Sequence, residues 1–124
     1  MPVPILKQGD VLIASIQAAL TDHDLLQLKD ELAEKVGRLR SRGVIIDVTA
    51  LDVMDSFATR TLRGIAATAQ LRGAKTVVVG VQPEVAIALV QLGLTLQGVA
   101  TALDLEEGLE VLRRTAAEDR RRGR

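Results

Sequence analysis

The fold is decided by the segment Val44-Ile45-Ile46-Asp47-Val48-Thr49 and by Asp55-Ser56-Phe57, which follows it after a short loop. The run from Val44 to Val48 is almost continuously apolar, and the run from Val77 to Val81 is similar. Continuous apolar runs of this length are typical of strands that are covered on both faces. Together with a third β-branched run, from Val11 to Ile16, they predict the core of a parallel sheet.

Four segments with helical spacing of apolar residues lie between and after these runs. The alternation of strands and helices predicts a single α/β domain, in which a small, mostly parallel β-sheet is flanked by about four helices. We expect the strands before the first helix to pair as a hairpin around Gly9-Asp10, and the run from Val99 to Ala102 to form a further edge strand. The apolar stripes of the helices are Leu25, Leu28, Leu32, Val36 and Leu39; Ala58, Leu62, Ile65 and Ala69; Val85, Ala88, Leu89 and Leu92; and Leu105, Leu109, Leu112 and Ala116.

The composition excludes several classes of function. The 124 residues include no cysteine, so disulfide scaffolds, cysteine-based zinc sites and thiol catalysis are excluded. The 16 basic residues balance 16 acidic ones, and Phe57 is the only aromatic residue, so neither a basic coat nor a stacking platform for nucleic acid is indicated. The single histidine, His23, leaves at best a carboxylate-rich metal site, and no glycine-rich nucleotide loop is present. We expect no metal, no cofactor and no nucleic-acid partner.

The two ends of the chain bear on location and domain boundaries. Residues 1–7 lack the charged and apolar regions of a signal peptide, and no apolar run approaches the roughly 18 residues of a membrane span. We therefore expect a cytoplasmic protein without membrane contact. The domain is predicted to span residues 1–117, with residues 118–124 as a basic, disordered tail. The mean hydropathy of +0.22 favours surfaces buried between subunits, so we predict a homodimer.

The loop after the central strand is the most informative part of the chain, because ligands and switches of open α/β sheets lie at the carboxyl ends of strands. One interpretation is that Asp55 or Ser56 only caps the following helix, which stabilises it by roughly 1 kcal/mol. The other is that Ser56 is phosphorylated. A helix N-terminus tolerates a phosphate. Beside Asp47, Asp52 and Asp55, its added charge of about −1.5 to −2 would repel a partner that fits the unmodified loop.

Two basic residues follow the serine on the same predicted helix. Arg60 and Arg63 lie about one and two turns beyond Ser56. They are expected to pair with acids such as Asp55, to contact an acidic partner, or simply to be solvated.

The residues do not favour catalysis. The sequence Met54-Asp55-Ser56-Phe57-Ala58 is not a Gly-x-Ser-x-Gly nucleophile elbow, and the only candidate base, His23, lies between two acids at a helix start. Asp47 ends a strand, as does the phosphorylated aspartate of response-regulator receivers, but the acidic pair and the lysine that such a site needs are missing. We predict no catalytic residues and no enzymatic activity.

Several segments of the chain share order and spacing with a known family. They are Val44-Ile45-Ile46-Asp47-Val48-Thr49 with Asp55-Ser56-Phe57, Ser15-Ile16-Gln17, Gly73-Ala74-Lys75, Gly80-Val81-Gln82-Pro83-Glu84-Val85-Ala86, and Thr101-Ala102-Leu103-Asp104-Leu105-Glu106-Glu107-Gly108-Leu109. Together they resemble the STAS domain family, the fold of anti-sigma-factor antagonists, and within it the RsbS-like proteins. The resemblance covers roughly residues 3 to 115, which is the whole predicted fold.

The resemblance implies a non-enzymatic scaffold and antagonist subunit of the bacterial stressosome, a large cytoplasmic signalling assembly. Such proteins assemble with RsbR-type STAS paralogues and sequester an RsbT-like serine/threonine kinase. On stress, that kinase phosphorylates the serine that matches Ser56 and is released, and an RsbX-like phosphatase reverses the modification. The candidate residues of the switch loop and interaction surface are Asp47, Asp52, Asp55, Arg60 and Arg63.

The match to the family has two departures. Simpler STAS antagonists place the phosphorylated hydroxyl two residues after the aspartate, where this chain has Phe57, so only the RsbS arrangement fits. Thr59, one turn further along, is a secondary candidate acceptor. We also expect no sensor domain in this chain. The alternative function is a purely structural STAS assembly subunit without regulatory phosphorylation, in which the serine is only a helix cap.

Overall fold

A mixed five-stranded sheet forms the centre of the molecule. The computed structural model describes residues 3–17 and 20–122. The strands lie across the sheet in chain order: β1 (Ile5–Gln8), β2 (Val11–Ser15), β3 (Gly43–Asp47), β4 (Lys75–Val79) and β5 (Ala100–Ala102). Strands β1 and β2 are antiparallel, and all the other neighbouring pairs are parallel. The predicted hairpin, the edge strand and the mostly parallel sheet are confirmed.

Four helices flank the sheet within the same described ranges. They are α1 (Asp22–Leu39), α2 (Ser56–Leu71), α3 (Pro83–Gln91) and α4 (Leu105–Arg121). Buried residues of α1, α2 and α3 belong to the larger apolar core on one face of the sheet, whereas α4 packs alone against the other face. The single α/β domain with four helices is therefore confirmed.

The central strand shows why its apolar run is continuous. Val44, Ile45 and Ile46 are all fully buried. Because side chains alternate across a strand, Val44 and Ile46 join the core under α1 to α3, and Ile45 joins the smaller core under α4. Both faces of β3 are covered, as the sequence predicts.

The four helices all begin at the same edge of the sheet, where strands β2 to β5 end. Each helix follows one of these parallel strands in the order of the chain. We call this edge the carboxyl edge, and the loop between β3 and α2, which contains Asp52 and leads to Ser56, lies there.

One predicted strand ends earlier than expected. Strand β4 stops at Val79 and does not continue to Val81. Gly80 follows with a φ of +80°, a left-handed conformation that interrupts the strand and that glycine adopts without steric cost.

The C-terminal end also differs from the expectation of a disordered tail over residues 118–124, because α4 continues to Arg121. Alanine, glutamate and arginine are good helix formers. In addition, Arg120 and Arg121 lie in the last turn, where cations interact favourably with the helix dipole. Residues 118–121 are therefore helical, and residues 123–124 lie outside the described residues.

Candidate functional site

Asp55 and Ser56 have different roles at the start of α2. Asp55 is the N-cap, and its Oδ1 accepts a hydrogen bond from the Ala58 N–H at 2.8 Å. Ser56 is the first residue of the helix and is partly exposed. In the part of the chain that the structure describes, the Ser56 hydroxyl has no hydrogen-bond partner. The capping role therefore belongs to the aspartate, and the serine hydroxyl is not engaged in holding the helix.

The structure argues against Thr59 as a second acceptor of phosphate. Its side chain is 0% exposed, and its Oγ1 donates a hydrogen bond to the Asp55 carbonyl oxygen at 2.9 Å. The first turn of α2 would have to open before an enzyme reached this hydroxyl. Modification of Thr59 therefore stays a prediction, and one that its burial disfavours: spacing placed it one turn beyond Ser56 but did not reveal that it packs into the core.

Asp47 fixes the start of the loop between β3 and α2 through hydrogen bonds to Thr49. It ends β3 and is half-buried. Its Oδ1 accepts hydrogen bonds from the Thr49 N–H at 2.9 Å and from the Thr49 hydroxyl at 2.6 Å. Aspartate commonly fixes the start of a loop by such bonds to the residue two positions on. Asp47 therefore positions the loop that leads to Ser56.

A residue that the sequence analysis missed joins this loop to the next one. Nε2 of Gln82 donates a hydrogen bond to the Thr49 carbonyl oxygen at 2.7 Å. A Cβ atom at Gly80 would overlap the Thr49 hydroxyl, so only glycine allows the two loops to approach so closely. The available signal was a polar residue directly after the neighbouring parallel strand, because such loops meet at the carboxyl edge.

The charged residues around Ser56 do not neutralise one another. Asp52, Asp55 and Arg60 are exposed, and Arg63 is half-buried. No ion pair within residues 3–17 and 20–122 includes any of these four. The expected pairing of Arg60 or Arg63 with Asp55 is therefore not found, and a partner that approached this surface would meet unpaired charges of both signs.

Acidic residues also occupy the first turns of the other helices at the carboxyl edge. They are Asp22 and Asp24 in α1, Glu84 in α3, and Glu106 and Glu107 in α4. These positions are favourable because the N-terminal end of a helix dipole is positive. A phosphate on Ser56 would add to the negative charge that is already concentrated there.

One of these acids forms a capping box. The Thr21 backbone N–H donates to Oδ2 of Asp24 at 3.2 Å, while the Asp24 N–H donates to the Thr21 hydroxyl at 3.1 Å. Hydrogen bonds with Thr21 lower the pKa of the Asp24 carboxyl group below its ordinary value. The bond from the Thr21 backbone has the larger effect, and the bond with the Thr21 side chain has the smaller one. Asp24 therefore remains a carboxylate over a wider range of pH.

A small apolar cavity lies beside the serine, between the starts of α1 and α2 and the loop before α2. Its volume is about 130 Å³, and Asp22 and Asp55 contribute to its lining. Val53 is 77% exposed. The apolar lining residues are Ile16, Leu20, Leu25, Leu51, Val53, Ala58 and Leu62. The surface next to Ser56 thus offers apolar contacts as well as charges.

The described residues offer neither a metal-binding cluster nor a membrane-spanning helix. Among them, no group of three or more His, Cys, Asp or Glu residues is placed to hold a metal ion. In the same ranges, the helices are too short or too polar to cross a membrane.

Comparison with known proteins identifies the family. A family model described as the STAS domain matches residues 3–107. The chain therefore belongs to the STAS domain family, and the resemblance noted in the sequence is confirmed.

Within this family the chain is similar to RsbS. The structure of a serine-to-glutamate variant of RsbS from Moorella thermoacetica is 42% identical, with a TM-score of 0.81, and the match covers 93% of this chain and 97% of that chain. A chain in the structure described as the molecular architecture of the stressosome, a signal integration and transduction hub, is 43% identical, with a TM-score of 0.75 and coverage of 91% and 98%.

A curated relative is the RsbT co-antagonist protein RsbRA of Bacillus subtilis (strain 168). It is 31% identical over 84 residues, which are 68% of this chain and 31% of that protein. The chain therefore spans under a third of the length of this relative.

Proposed function

We propose that the protein is a non-enzymatic scaffold and antagonist subunit of a bacterial stressosome, which holds an RsbT-like serine/threonine kinase and releases it when Ser56 is phosphorylated. Membership of the STAS family and the similarity to RsbS and to a stressosome chain support this assignment. The observation that carries the switch is the Ser56 hydroxyl, which is partly exposed and unbonded at the start of α2, while Asp55 supplies the cap.

The modification itself is a simple phosphoryl transfer. The Ser56 Oγ forms a bond to the γ-phosphorus of ATP held by the kinase, the hydroxyl proton passes to a base of the kinase, and ADP leaves. An RsbX-like phosphatase reverses the change by hydrolysis of the phosphate ester. This chain supplies only the acceptor hydroxyl and the surface around it.

The phosphate acts through charge and leaves the fold intact. It adds about −1.5 to −2 charges beside the exposed Asp52 and Asp55. The free N–H groups and the positive dipole end at the start of α2 tolerate this charge, so the helix persists. A kinase surface that places acidic or apolar groups against the unmodified serine is repelled once the dianion is present.

The kinase contact is part of a larger assembly on this proposal. The protein forms a homodimer and a large cytoplasmic hetero-oligomer with an RsbR-type STAS paralogue, and the kinase binds at the carboxyl edge. Asp52, Asp55, Arg60 and Arg63 contact the kinase, and Asp47 holds the loop in position.

The test is release of the kinase from a complex made with purified proteins. On addition of ATP and magnesium, size-exclusion chromatography should show that the wild-type complex dissociates and that the Ser56→Ala complex persists. Thr95→Ala is a matched control, because Thr95 is an exposed hydroxyl in a different part of the surface. It should release the kinase as the wild type does.

Tandem mass spectrometry of the protein from unstressed and stressed cells completes the test. A phosphate on Ser56 that increases with stress is the expected result. An unmodified Ser56 under both conditions, in a protein that still resides in a large complex, would instead favour the purely structural assembly subunit.

A further inference from the structure

A second and larger cavity lies at the opposite edge of the sheet from Ser56, where β2, β3 and β4 begin. We call it the basal cavity. Its volume is about 440 Å³. Pockets for small molecules commonly measure about 300–1,000 Å³. The switch proposed above makes no use of this cavity.

The cavity exists because a single helix covers one face of the sheet. A helix with its side chains is about 10–12 Å wide, whereas strands are about 4.8 Å apart, so α4 does not cover all five strands. Near the strand starts, a Cβ atom at Gly43 would lie 2.6 Å from Cδ1 of Leu112, so the glycine lets this leucine pack directly on β3. The apolar lining residues are Val11, Leu109, Leu112 and Ala116.

Basic residues line the cavity from both layers of the fold. Arg42 and Lys75 lie at the strand starts, and Arg113 and Arg120 lie on α4. Arg113 is paired with Glu110 at 2.6 Å. Across the described residues, Arg42, Lys75 and Arg120 take part in no ion pair.

Two carboxylates reduce the positive charge of the cavity lining. Asp10 and Asp119 also line the cavity, and because Arg113 is already paired with Glu110, the three unpaired cations exceed these two anions by one. Such a balance favours one anionic head group over a densely charged polyanion, and the apolar floor is left for a hydrocarbon or ring portion.

We propose that the basal cavity binds a small amphipathic organic anion, with its phosphate or carboxylate head between the cations of the sheet and of α4 and its apolar portion against Val11 and Leu112. The cations on the two layers pair with the head group, which reduces their mutual repulsion. The apolar portion removes the exposed floor from water. This role gives the arginine-rich end of α4 a function separate from the switch.

The first experiment is a titration of the full chain with decyl phosphate below its micelle concentration, followed by two-dimensional ¹⁵N–¹H NMR. Resonances of Gly43, Gly73, Lys75 and Leu112 should shift and saturate. Inorganic phosphate has the anionic group but no alkyl chain, and decanol has the alkyl chain but no anionic group. Each of them should bind at least tenfold more weakly than decyl phosphate. Shifts that fail to saturate, or that cluster at the carboxyl edge, would refute the site.

Charge variants then test the lining. Lys75→Gln and Arg42→Gln should each weaken the binding of decyl phosphate about fivefold or more. Arg72→Gln is the matched control, because Arg72 is exposed at the same end of the molecule but lies over Gly37 of α1, outside the cavity. An equal loss in Arg72→Gln would mean that binding is unspecific attraction to a basic surface, and would overturn the proposal.

The same chemistry is found in free metabolites and in lipid head groups. Co-sedimentation with phosphatidylglycerol vesicles distinguishes a lipid ligand from a soluble metabolite. Binding of monomeric decyl phosphate without co-sedimentation supports a soluble ligand, whereas co-sedimentation that Lys75→Gln reduces supports a lipid. If neither probe binds the wild-type chain, the proposal is wrong.

Discussion

Gln82 and Thr49 are 33 positions apart in the chain, yet the Gln82 side-chain amide donates a 2.7 Å hydrogen bond to the Thr49 carbonyl oxygen. Thr49 is itself held by Oδ1 of Asp47 through two hydrogen bonds. These hydrogen bonds therefore connect the end of β3, the loop before Ser56 and the start of α3. A substitution in one of these segments should alter the stability of the others.

Removal of the Gln82 amide should loosen these connected segments. Gln82→Ala is expected to lower the free energy of unfolding by about 1 kcal/mol, a typical net value for one hydrogen bond. Amide exchange in the loop over residues 50–54 should accelerate. Urea unfolding and hydrogen exchange measure these effects. Gln91→Ala, at the exposed end of α3, is the control, and equal effects of the two substitutions would show that the bond to Thr49 contributes nothing.

Gly80 should tolerate a side chain less well than other glycines of similar conformation. Alanine at positive φ costs roughly 1 kcal/mol. Gly73→Ala should lose only that amount, because Gly73 has a φ of +90° and nothing within 4 Å of an added Cβ. Gly80→Ala should lose more, because its Cβ would overlap the Thr49 hydroxyl. Thermal unfolding tests this, and in a Thr49→Ala background the extra loss should largely disappear.

Asp55 and Ser56 should contribute unequally to the stability of α2. Asp55→Ala is expected to lower the free energy of unfolding by about 1 kcal/mol through loss of the N-cap. Asp55→Asn should lower it much less, because asparagine is also a good N-cap. Ser56→Ala should stay within about 0.5 kcal/mol of the wild type, since the serine hydroxyl makes no bond within the described residues. A loss in Ser56→Ala that equalled that of Asp55→Ala would assign the cap to the serine.

A negative charge at position 56 should weaken binding of the kinase and leave the stability of the fold nearly unchanged. Ser56→Asp is expected to change the free energy of unfolding by less than about 1 kcal/mol, because an acid is tolerated at a helix start. It should nevertheless weaken binding of the kinase, as measured by calorimetry. Ser56→Asn is the neutral control of similar size. If Ser56→Asp bound the kinase as tightly as Ser56→Asn, charge repulsion would not be the mechanism of release.

The capping box of α1 predicts a dependence of stability on pH. The folded-state pKa of Asp24 is lowered from its ordinary value of 3.8, so its contribution is fully present above that value and is lost as the pH falls through the lower folded-state pKa. The stability difference between wild type and Asp24→Asn should therefore diminish on acidification below about pH 4. Denaturant unfolding from pH 7 to pH 2 measures it. In a Thr21→Ala background only the smaller part of this pH dependence should disappear, because alanine lacks the side-chain hydroxyl but keeps the backbone N–H that lowers the pKa of Asp24 most.

Much of the fold could be predicted because its signals are local. The apolar run at Val44 to Val48 indicated a strand buried on both faces, and the acid at Asp55 indicated where α2 begins. The end of α4 could not be predicted in this way, because the apolar stripe of the helix ends at Ala116. Residues 118–121 continue the helix without apolar spacing, and three of them, Glu118, Arg120 and Arg121, are good helix formers.

The candidate site was only partly predictable, because several of its features depend on contacts between distant segments. Spacing along the helix made Thr59 a secondary candidate after Ser56, but only the packed structure shows that Ser56 is partly exposed and Thr59 fully buried. Likewise, Gln82 reaches Thr49 only after the sheet has brought two loops together. Hydrophobic periodicity contains no information about such side-chain partners.

The contrast between Ser56 and Thr59 has a consequence for the speed of the proposed switch. Modification of a buried threonine must wait for a local opening of the helix, so its rate would depend on how often that opening occurs. Ser56 is partly exposed in the native state, so on the proposed switch its modification and reset need no local opening, and their rates follow the amounts and activities of the two enzymes. A cell could then retune the response by changing how much kinase or phosphatase it makes, without any change in the stability of this protein.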